Sequence, residues 1–135
     1  MRFEIRPIGH VRSSLVDRAD APRQGDEGAP PADLAVDPDL EAALAGIAVG
    51  ADLIVLTWLH LADRDALTTH PRDDLTRPEQ GVFSTRSADR PNPIGLHRVR
   101  VVAIEGTNIR VRDLEAVDGT PIVDLKPVLG ALDER

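Results

Sequence analysis

The chain has 135 residues, a formal net charge of −7 and no cysteine. A chain of this length has room for one hydrophobic core, so we expect residues 1–135 to form a single domain. The lack of cysteine excludes disulfides, thiolate zinc sites and cysteine nucleophiles. The acidic balance argues against binding nucleic acid through the whole surface.

Charged residues interrupt the N-terminal segment where a signal peptide would be apolar. The longest apolar run, residues 53–61, is too short to cross a bilayer as a helix. We therefore expect a cytoplasmic protein.

The first third of the chain predicts a strand, a long loop and a short helix. Residues 3–6 alternate apolar and polar side chains, and the pattern resumes at residues 8–12 after Pro7. Residues 17–31 are rich in Asp, Pro and Gly, which predicts a surface loop that is either functional or disordered. Asp37-Pro38 is typical of a helix cap and first position, and Leu40 and Leu44 follow on one face.

The rest of the chain predicts further strands. Residues 53–59 form a near-continuous apolar run, as expected of a central strand covered on both faces. After a loop over residues 62–80, strand character returns at 81–85, and residues 95–104 and 108–114 predict an antiparallel pair. Residues 122–125 are the last predicted strand. The pattern indicates an all-β fold, a small barrel or sandwich with one short helix and long loops.

The acidic chain contains one basic stretch. Residues 86–112 carry six arginines against two acidic residues, an excess of four positive charges. Arginine suits bidentate recognition of carboxylate or phosphate, although a codon bias would give the same composition.

The sequence lacks the glycine-rich signatures of Rossmann and P-loop nucleotide sites, which excludes a Rossmann methyltransferase. The four histidines are too far apart in sequence to suggest a metal motif, so we expect no metal site. In residues 85–95, Pro91 and Pro93 stiffen a loop that carries Arg86, Arg90 and Asn92. On composition alone this is either a recognition loop for a carboxylate and a base edge or a stiff connector.

Four segments resemble one family. The sequences GVFSTRS at residues 81–87 and RPNPIGL at 90–96 closely resemble the signature of the TsaA-like (TrmO) methyltransferases. The sequence AVDGTPIVDLKP at 116–127 is similar to that family's second signature, and IGHVRS at 8–13 with APRQ at 21–24 matches its opening. The resemblance covers nearly the whole chain.

The resemblance implies a small β-barrel, usually a homodimer, that binds S-adenosylmethionine. It implies methylation of N6-threonylcarbamoyladenosine next to the tRNA anticodon, so tRNA is the expected partner. Carried over by position, the implied cofactor contacts are Pro22, Arg23, Gln24, His60, Leu61, Arg86, Leu96, Glu115, Ala116, Val117 and Asp118.

The chemistry of the donor suggests roles for some of these residues. Arg86 or Arg23 would bind the donor's carboxylate. Asp118 would face its ammonium or sulfonium, unless it is only the first residue of an Asp-Gly turn. The expected catalytic residues are His60, as a base that takes a proton from the acceptor, and Arg90 and Asn92, which would hold the acceptor.

The chain departs from the family pattern in ways that bear on the acceptor. Val128 and His97 stand where the family has tyrosine and serine, and Phe3, Trp58 and Phe83 are the aromatic residues available besides histidine. Three functions therefore remain open: a tRNA methyltransferase, a methyltransferase of the same fold that acts on a small metabolite, and a non-catalytic module that binds S-adenosylmethionine.

Overall fold

In the computed structural model, which describes residues 1–130 apart from the side chain of Arg72, most of the regular structure is β-strand. The strands are β1 (Gly9–Arg12), β2 (Ala32–Val36), β3 (Asp52–Trp58), β4 (Thr68–Thr69), β5 (Gln80–Gly81), β6 (Ile94–Glu105), β7 (Asn108–Arg112) and β8 (Pro121–Pro127). Short 3₁₀ helices lie at Arg18–Asp20, Gly25–Glu27, Pro38–Leu44, Pro71–Asp73 and Val82–Ser84.

Six strands close into an antiparallel barrel in the order β1-β2-β7-β6-β3-β8, and β4 pairs with β5 in a separate ribbon. The barrel interior is filled by alternate side chains of these strands, as the two-residue period of a strand requires. Its fully buried members include Val11, Leu34, Val55, Ile109 and Ile122. The predicted all-β barrel is confirmed.

The predicted helix after Asp37 is present as the 3₁₀ helix Pro38–Leu44. Asp37 accepts a hydrogen bond from the backbone N–H of Asp39, and Pro38 occupies the first position. Leu40 and Leu44 pack against the barrel core.

Strand β3 lies between β6 and β8, as expected of a central strand. Its side chains alternate in burial, however. Leu53, Val55 and Thr57 are buried, whereas Ile54 and Trp58 on the outer face are only half-buried. The prediction of cover on both faces was therefore wrong, since a barrel wall has its second face outside the core.

Two predicted strands are present only in part, the first as β1 and the one at residues 81–85 as the end of β5. Residues 3–6 form no strand, and Phe3 is 78% exposed, because regular pairing begins at Gly9 and Pro7 has no N–H to donate to a ladder. Residues 82–84 form a 3₁₀ helix instead of continuing a strand. The hydroxyls of Ser84 and Thr85 donate to the carbonyls of Gly81 and Val82, and such local bonds compete with sheet pairing.

Candidate functional site

Strand β6 changes neighbour along its length. Residues 94–100 pair with β3, and residues 100–105 pair with β7 after an irregularity near Val101. The side of β6 opposite β3 therefore has no partner strand over residues 94–99. The segment at residues 113–117 and the 3₁₀ helix Gly25–Glu27 approach this side instead, because His97 contacts Glu115 and that helix contacts β6.

A cavity of about 1440 Å³ opens beside this part of β6. It is larger than a typical small-ligand site, about 300–1,000 Å³, and leaves room for a second molecule beside a bound ligand. Twelve of the thirteen residues singled out from the sequence line it: Pro22, Arg23, Gln24, His60, Leu61, Arg86, Arg90, Asn92, Leu96, Glu115, Ala116 and Val117. The fold thus brings together four segments that are far apart in the chain.

Asp118 lies elsewhere. Its Oδ1 accepts a hydrogen bond from the Ser13 backbone N–H at 3.0 Å, and its own N–H donates to the Leu15 carbonyl. It borders a smaller groove beside β1. Its carboxylate therefore ties the turn before β8 to the end of β1, which matches the alternative of an Asp-Gly turn residue.

Most arginines around the cavity are already paired. Arg18 donates to Asp89 Oδ1 and to the Leu61 carbonyl, both at 3.0 Å, and Arg23 pairs with Asp73. Within the part of the chain that the structure describes, the Arg86 guanidinium has neither a hydrogen bond nor an ion pair. Arg86 is thus the exposed cavity cation that is free to bind an anion.

A three-residue ion cluster lies at the far end of the cavity. Asp52 Oδ1 and Oδ2 accept from Arg100 Nε at 2.9 Å and Arg98 Nη2 at 3.0 Å. Hydrogen bonds from Arg100 and then Arg98 lower the pKa of Asp52 below its ordinary value, and the same contact raises the pKa of Arg100. One carboxylate thus offsets one of the two guanidinium charges, and the cluster keeps one net positive charge.

The proline-containing loop is braced from within. Arg90 Nη1 donates to the carbonyls of Thr85 at 3.1 Å and Ser87 at 3.0 Å. Asn92 Oδ1 accepts from Arg64 Nη2 at 3.2 Å, and Arg64 also lies over the Trp58 ring. These bonds stiffen the loop, and the loop also lines the cavity. Both alternatives are therefore supported, a stiff connector and a recognition loop.

His60 follows the end of β3 and is exposed. Its ring has no hydrogen bond to the described residues, so none of these residues fixes its tautomer or orientation. The structure gives His60 access to the cavity but no partner that would activate it as a base.

A buried polar group that sequence reasoning did not assign lies at the cavity wall. His97 Nδ1 is 2.6 Å from Glu115 Oε1, and His97 Nε2 is 2.7 Å from Thr57 Oγ1. The signal was present in the strand pattern, since Thr57 and His97 occupy inward positions of β3 and β6 among apolar residues.

No three His, Asp or Glu side chains of residues 1–130 come together as a metal site. No helix within that range is both long and apolar enough to cross a membrane. The barrel thus has a cavity with an unpaired arginine, Arg86, and a wall carboxylate, Glu115, and these charges suit a small ligand that carries both signs.

Comparison with known proteins identifies the kind of barrel. The family model described as "tRNA-methyltransferase O N-terminal domain" matches residues 10–134, so the chain belongs to that family. A probable S-adenosyl-L-methionine-binding protein of Methanothermobacter thermautotrophicus is 41% identical over 98% of this chain and 95% of its own length. An S-adenosyl-L-methionine-binding protein of Archaeoglobus fulgidus is 38% identical over 96% of this chain and 91% of its own.

Solved structures of TrmO have the same fold as this chain. The crystal structure of TrmO from Pseudomonas aeruginosa superposes with a TM-score of 0.79 at 28% identity, over 100% of this chain and 60% of that one. A second crystal structure of TrmO gives a TM-score of 0.81 at 29% identity over 100% of this chain and 61% of its own length. The present chain thus spans about three fifths of the length of these solved proteins.

Proposed function

We propose that this chain is an S-adenosylmethionine-dependent methyltransferase whose acceptor is N6-threonylcarbamoyladenosine beside the tRNA anticodon. The observation that supports the proposal is the cavity beside β6, since ten of the eleven cofactor contacts implied by the family resemblance line it, together with Arg90 and Asn92. Membership of the family supports the same reaction.

The residues of the cavity fit this donor. The donor's amino-acid end has a carboxylate, which the unpaired Arg86 can bind through two parallel hydrogen bonds. Its adenosine end needs apolar cover, and the half-exposed Leu61 and Leu96 with Pro22 supply such surface on the same cavity. Glu115 adds a carboxylate that can accept from a cation.

When bound, the donor supplies a methyl group on a sulfonium centre, which leaves as a neutral thioether. The protein's task is then to align the acceptor nitrogen with that methyl group and to keep water away. Loop residues Arg90 and Asn92 lie on the same cavity and are proposed to hold the acceptor. His60 is proposed to take its proton, although its exposed ring lacks a fixing partner.

Removing Arg86 tests the donor site. Calorimetric titration with S-adenosylmethionine should show that Arg86→Ala weakens binding by roughly 10- to 100-fold, since a hydrogen-bonded charge contributes about 1.5–3 kcal/mol. Arg12→Ala is the matched control, because Arg12 is also an exposed arginine and lies outside this cavity. Unchanged affinity in Arg86→Ala would remove Arg86 from the site, and no binding by the unaltered protein would overturn the proposed function.

One observation favours a small metabolite as the acceptor. The arginines of the basic stretch that lie on β6 and β7 are largely paired, Arg98 and Arg100 with Asp52 and Arg110 with Asp33. The two carboxylates offset two of these three positive charges, which weakens the attraction of this face for tRNA phosphates. A methyltransferase of the same fold with a small acceptor is therefore the second candidate, and a non-catalytic donor-binding module is the third, to be recognised by binding without turnover.

We further propose a homodimer of single-domain chains in the cytoplasm. The outer face of the β3–β6 pair supports the dimer, because Leu56 lies opposite Leu96 and Trp58 opposite Ile94. Leu96 is 50% exposed and Ile94 is 41% exposed, and contiguous apolar side chains on a sheet face are typical of contact surfaces. This face adjoins the cavity, so a partner would lie next to the bound donor.

A further inference from the structure

His97 is a buried histidine with both ring nitrogens engaged. Its side chain is only 4% exposed, and it points inward from β6. Nδ1 contacts Glu115 Oε1 at 2.6 Å and Nε2 contacts Thr57 Oγ1 at 2.7 Å. The ring therefore cannot rotate without breaking a buried hydrogen bond.

The barrel is built to admit this contact. Gly95 lies opposite Thr57 in the β3–β6 register. A Cβ at position 95 would overlap Thr57 Oγ1 and lie 2.7 Å from His97 Nε2. Glycine at this position thus leaves the space in which the hydroxyl and the ring meet.

The donors and acceptors along the chain of contacts fix its direction. An ionised carboxylate only accepts, so His97 Nδ1–H donates to Glu115. In the neutral ring Nε2 is then an acceptor, and the Thr57 hydroxyl donates to it. The Glu115 carboxylate thus selects this tautomer, and the Thr57 hydroxyl complements it by holding Nε2.

Glu115 is where this chain of contacts meets the cavity. Its side chain is 18% exposed and lines the cavity. Asp26 on the same cavity is exposed and has no ion pair among the described side chains, whereas Asp52, Asp73 and Asp89 are each paired with arginine. Glu115 is held instead by an imidazole, so its negative charge is not offset by a guanidinium and is available to a cationic ligand group.

We propose that His97, held by Thr57, is a positioning residue that aims the Glu115 carboxylate at the α-ammonium group of the donor. This inference rests on the proposed function, because it takes S-adenosylmethionine as the ligand. Arg86 binds the carboxylate of the donor's amino-acid end, and Glu115 binds its ammonium. The two residues together recognise the zwitterion by opposite charges on one cavity.

Three ligands differ in the cationic groups of the donor. S-adenosylmethionine has both the α-ammonium and the sulfonium, S-adenosylhomocysteine has the α-ammonium without the sulfonium, and 5′-methylthioadenosine has neither of these two groups. The dissociation constant of each is measured by calorimetry for the unaltered protein and for variants at position 97. Thermal unfolding of each variant reports whether the barrel is intact.

His97→Leu removes the donor to Glu115 at similar volume, whereas His97→Asn keeps an N–H near the place of Nδ1. We expect His97→Leu to weaken S-adenosylmethionine and S-adenosylhomocysteine by about tenfold each and to leave 5′-methylthioadenosine unchanged. His97→Asn should restore most of that affinity. Glu115→Gln, which retains the shape of the side chain and lies at the cavity wall, should reproduce the selective loss even if His97→Leu fails to fold.

Equal weakening of all three ligands would overturn the proposal in favour of a merely structural histidine. Loss confined to S-adenosylmethionine would also overturn it, because the sulfonium would then be the group that Glu115 faces. Full affinity in Glu115→Gln would contradict it directly. Failure of the unaltered protein to bind any donor would instead refute the proposed function, so the two failures are distinguishable.

Discussion

Arg90 lines the cavity and is also bonded within its own loop. It is proposed to hold the acceptor, and its Nη1 donates to two carbonyls of the loop, those of Thr85 and Ser87. These carbonyls flank Arg86, the free cation of the cavity. Arg90 is thus well placed to set the position of Arg86, through backbone contacts that no sequence pattern displays.

We therefore expect Arg90→Ala to weaken donor binding several-fold and to lower the free energy of unfolding by about 1 kcal/mol, because two carbonyls lose a donor. Calorimetric titration and thermal unfolding measure the two effects. Arg110→Ala, an exposed arginine of β7 outside the cavity, is the control and should bind the donor normally. Normal donor affinity in Arg90→Ala with loss of methyl transfer would restore the acceptor-holding role.

The buried polar contact was also beyond sequence reasoning. The alternation of β3 and β6 predicts that Thr57 and His97 face inward, but their meeting depends on the register that sets Thr57 opposite Gly95. The contact with Glu115 further depends on where residues 113–117 pass the unpaired side of β6. Long-range placement of this kind is fixed by barrel closure, which local patterns do not specify.

At the scale of elements, prediction succeeded where a strand has a strong apolar period. Strands β3, β6, β7 and β8 lie where the pattern placed them, although their ends differ by a few residues. Strand β2 was missed because Ala32, Asp33 and Ala35 have low strand propensity. It is nevertheless a barrel strand, since it joins β1 to β7 and buries Ala32, Leu34 and Val36.

The loop at residues 17–31 was predicted to be functional or disordered, and its placement depends on one close contact. The backbone of Gly25 lies against that of Asp113, where any Cβ would overlap the Asp113 carbonyl oxygen. Only glycine permits this approach without displacement of the loop. The contact holds Pro22, Arg23 and Gln24 beside the segment that carries Glu115.

Gly25→Ala should therefore displace the loop and weaken donor binding by about tenfold, with little change in the midpoint of thermal unfolding, because the barrel core is not touched. Calorimetry and thermal unfolding on the same samples check both expectations. Gly81→Ala is the matched control, since the nearest atom to its Cβ would be 4.0 Å away and its φ is −62°. Unaltered donor affinity in Gly25→Ala would mean that this loop does not contribute to the site.

For the whole molecule, the fold brings most of the residues named from the sequence to one cavity. The family resemblance named eleven residues in four separate segments, and ten of them lie on one cavity. The exception is Asp118, whose carboxylate accepts from the Ser13 N–H and borders a different groove. Whether each lining residue contacts the donor stays a prediction.

The distribution of charge is also a property of the whole molecule. The basic stretch at residues 86–112 indicated a patch that could attract phosphates, but folding places Asp52 and Asp33 against three of its six arginines. The pairing partners come from β3 and β2, far away in sequence. The acceptor is therefore the part of the proposal that depends most on direct measurement.

The most direct test is methyl transfer to tRNA. Purified protein is incubated with S-adenosylmethionine carrying an isotope-labelled methyl group and with threonylcarbamoylated or unmodified tRNA, and the nucleosides are analysed by mass spectrometry. Our account predicts a labelled methyl group on threonylcarbamoyladenosine from the modified tRNA alone, and much less with Arg86→Ala. Absence of label from the modified tRNA, at a donor concentration that calorimetry shows to be saturating, would contradict the tRNA methyltransferase assignment.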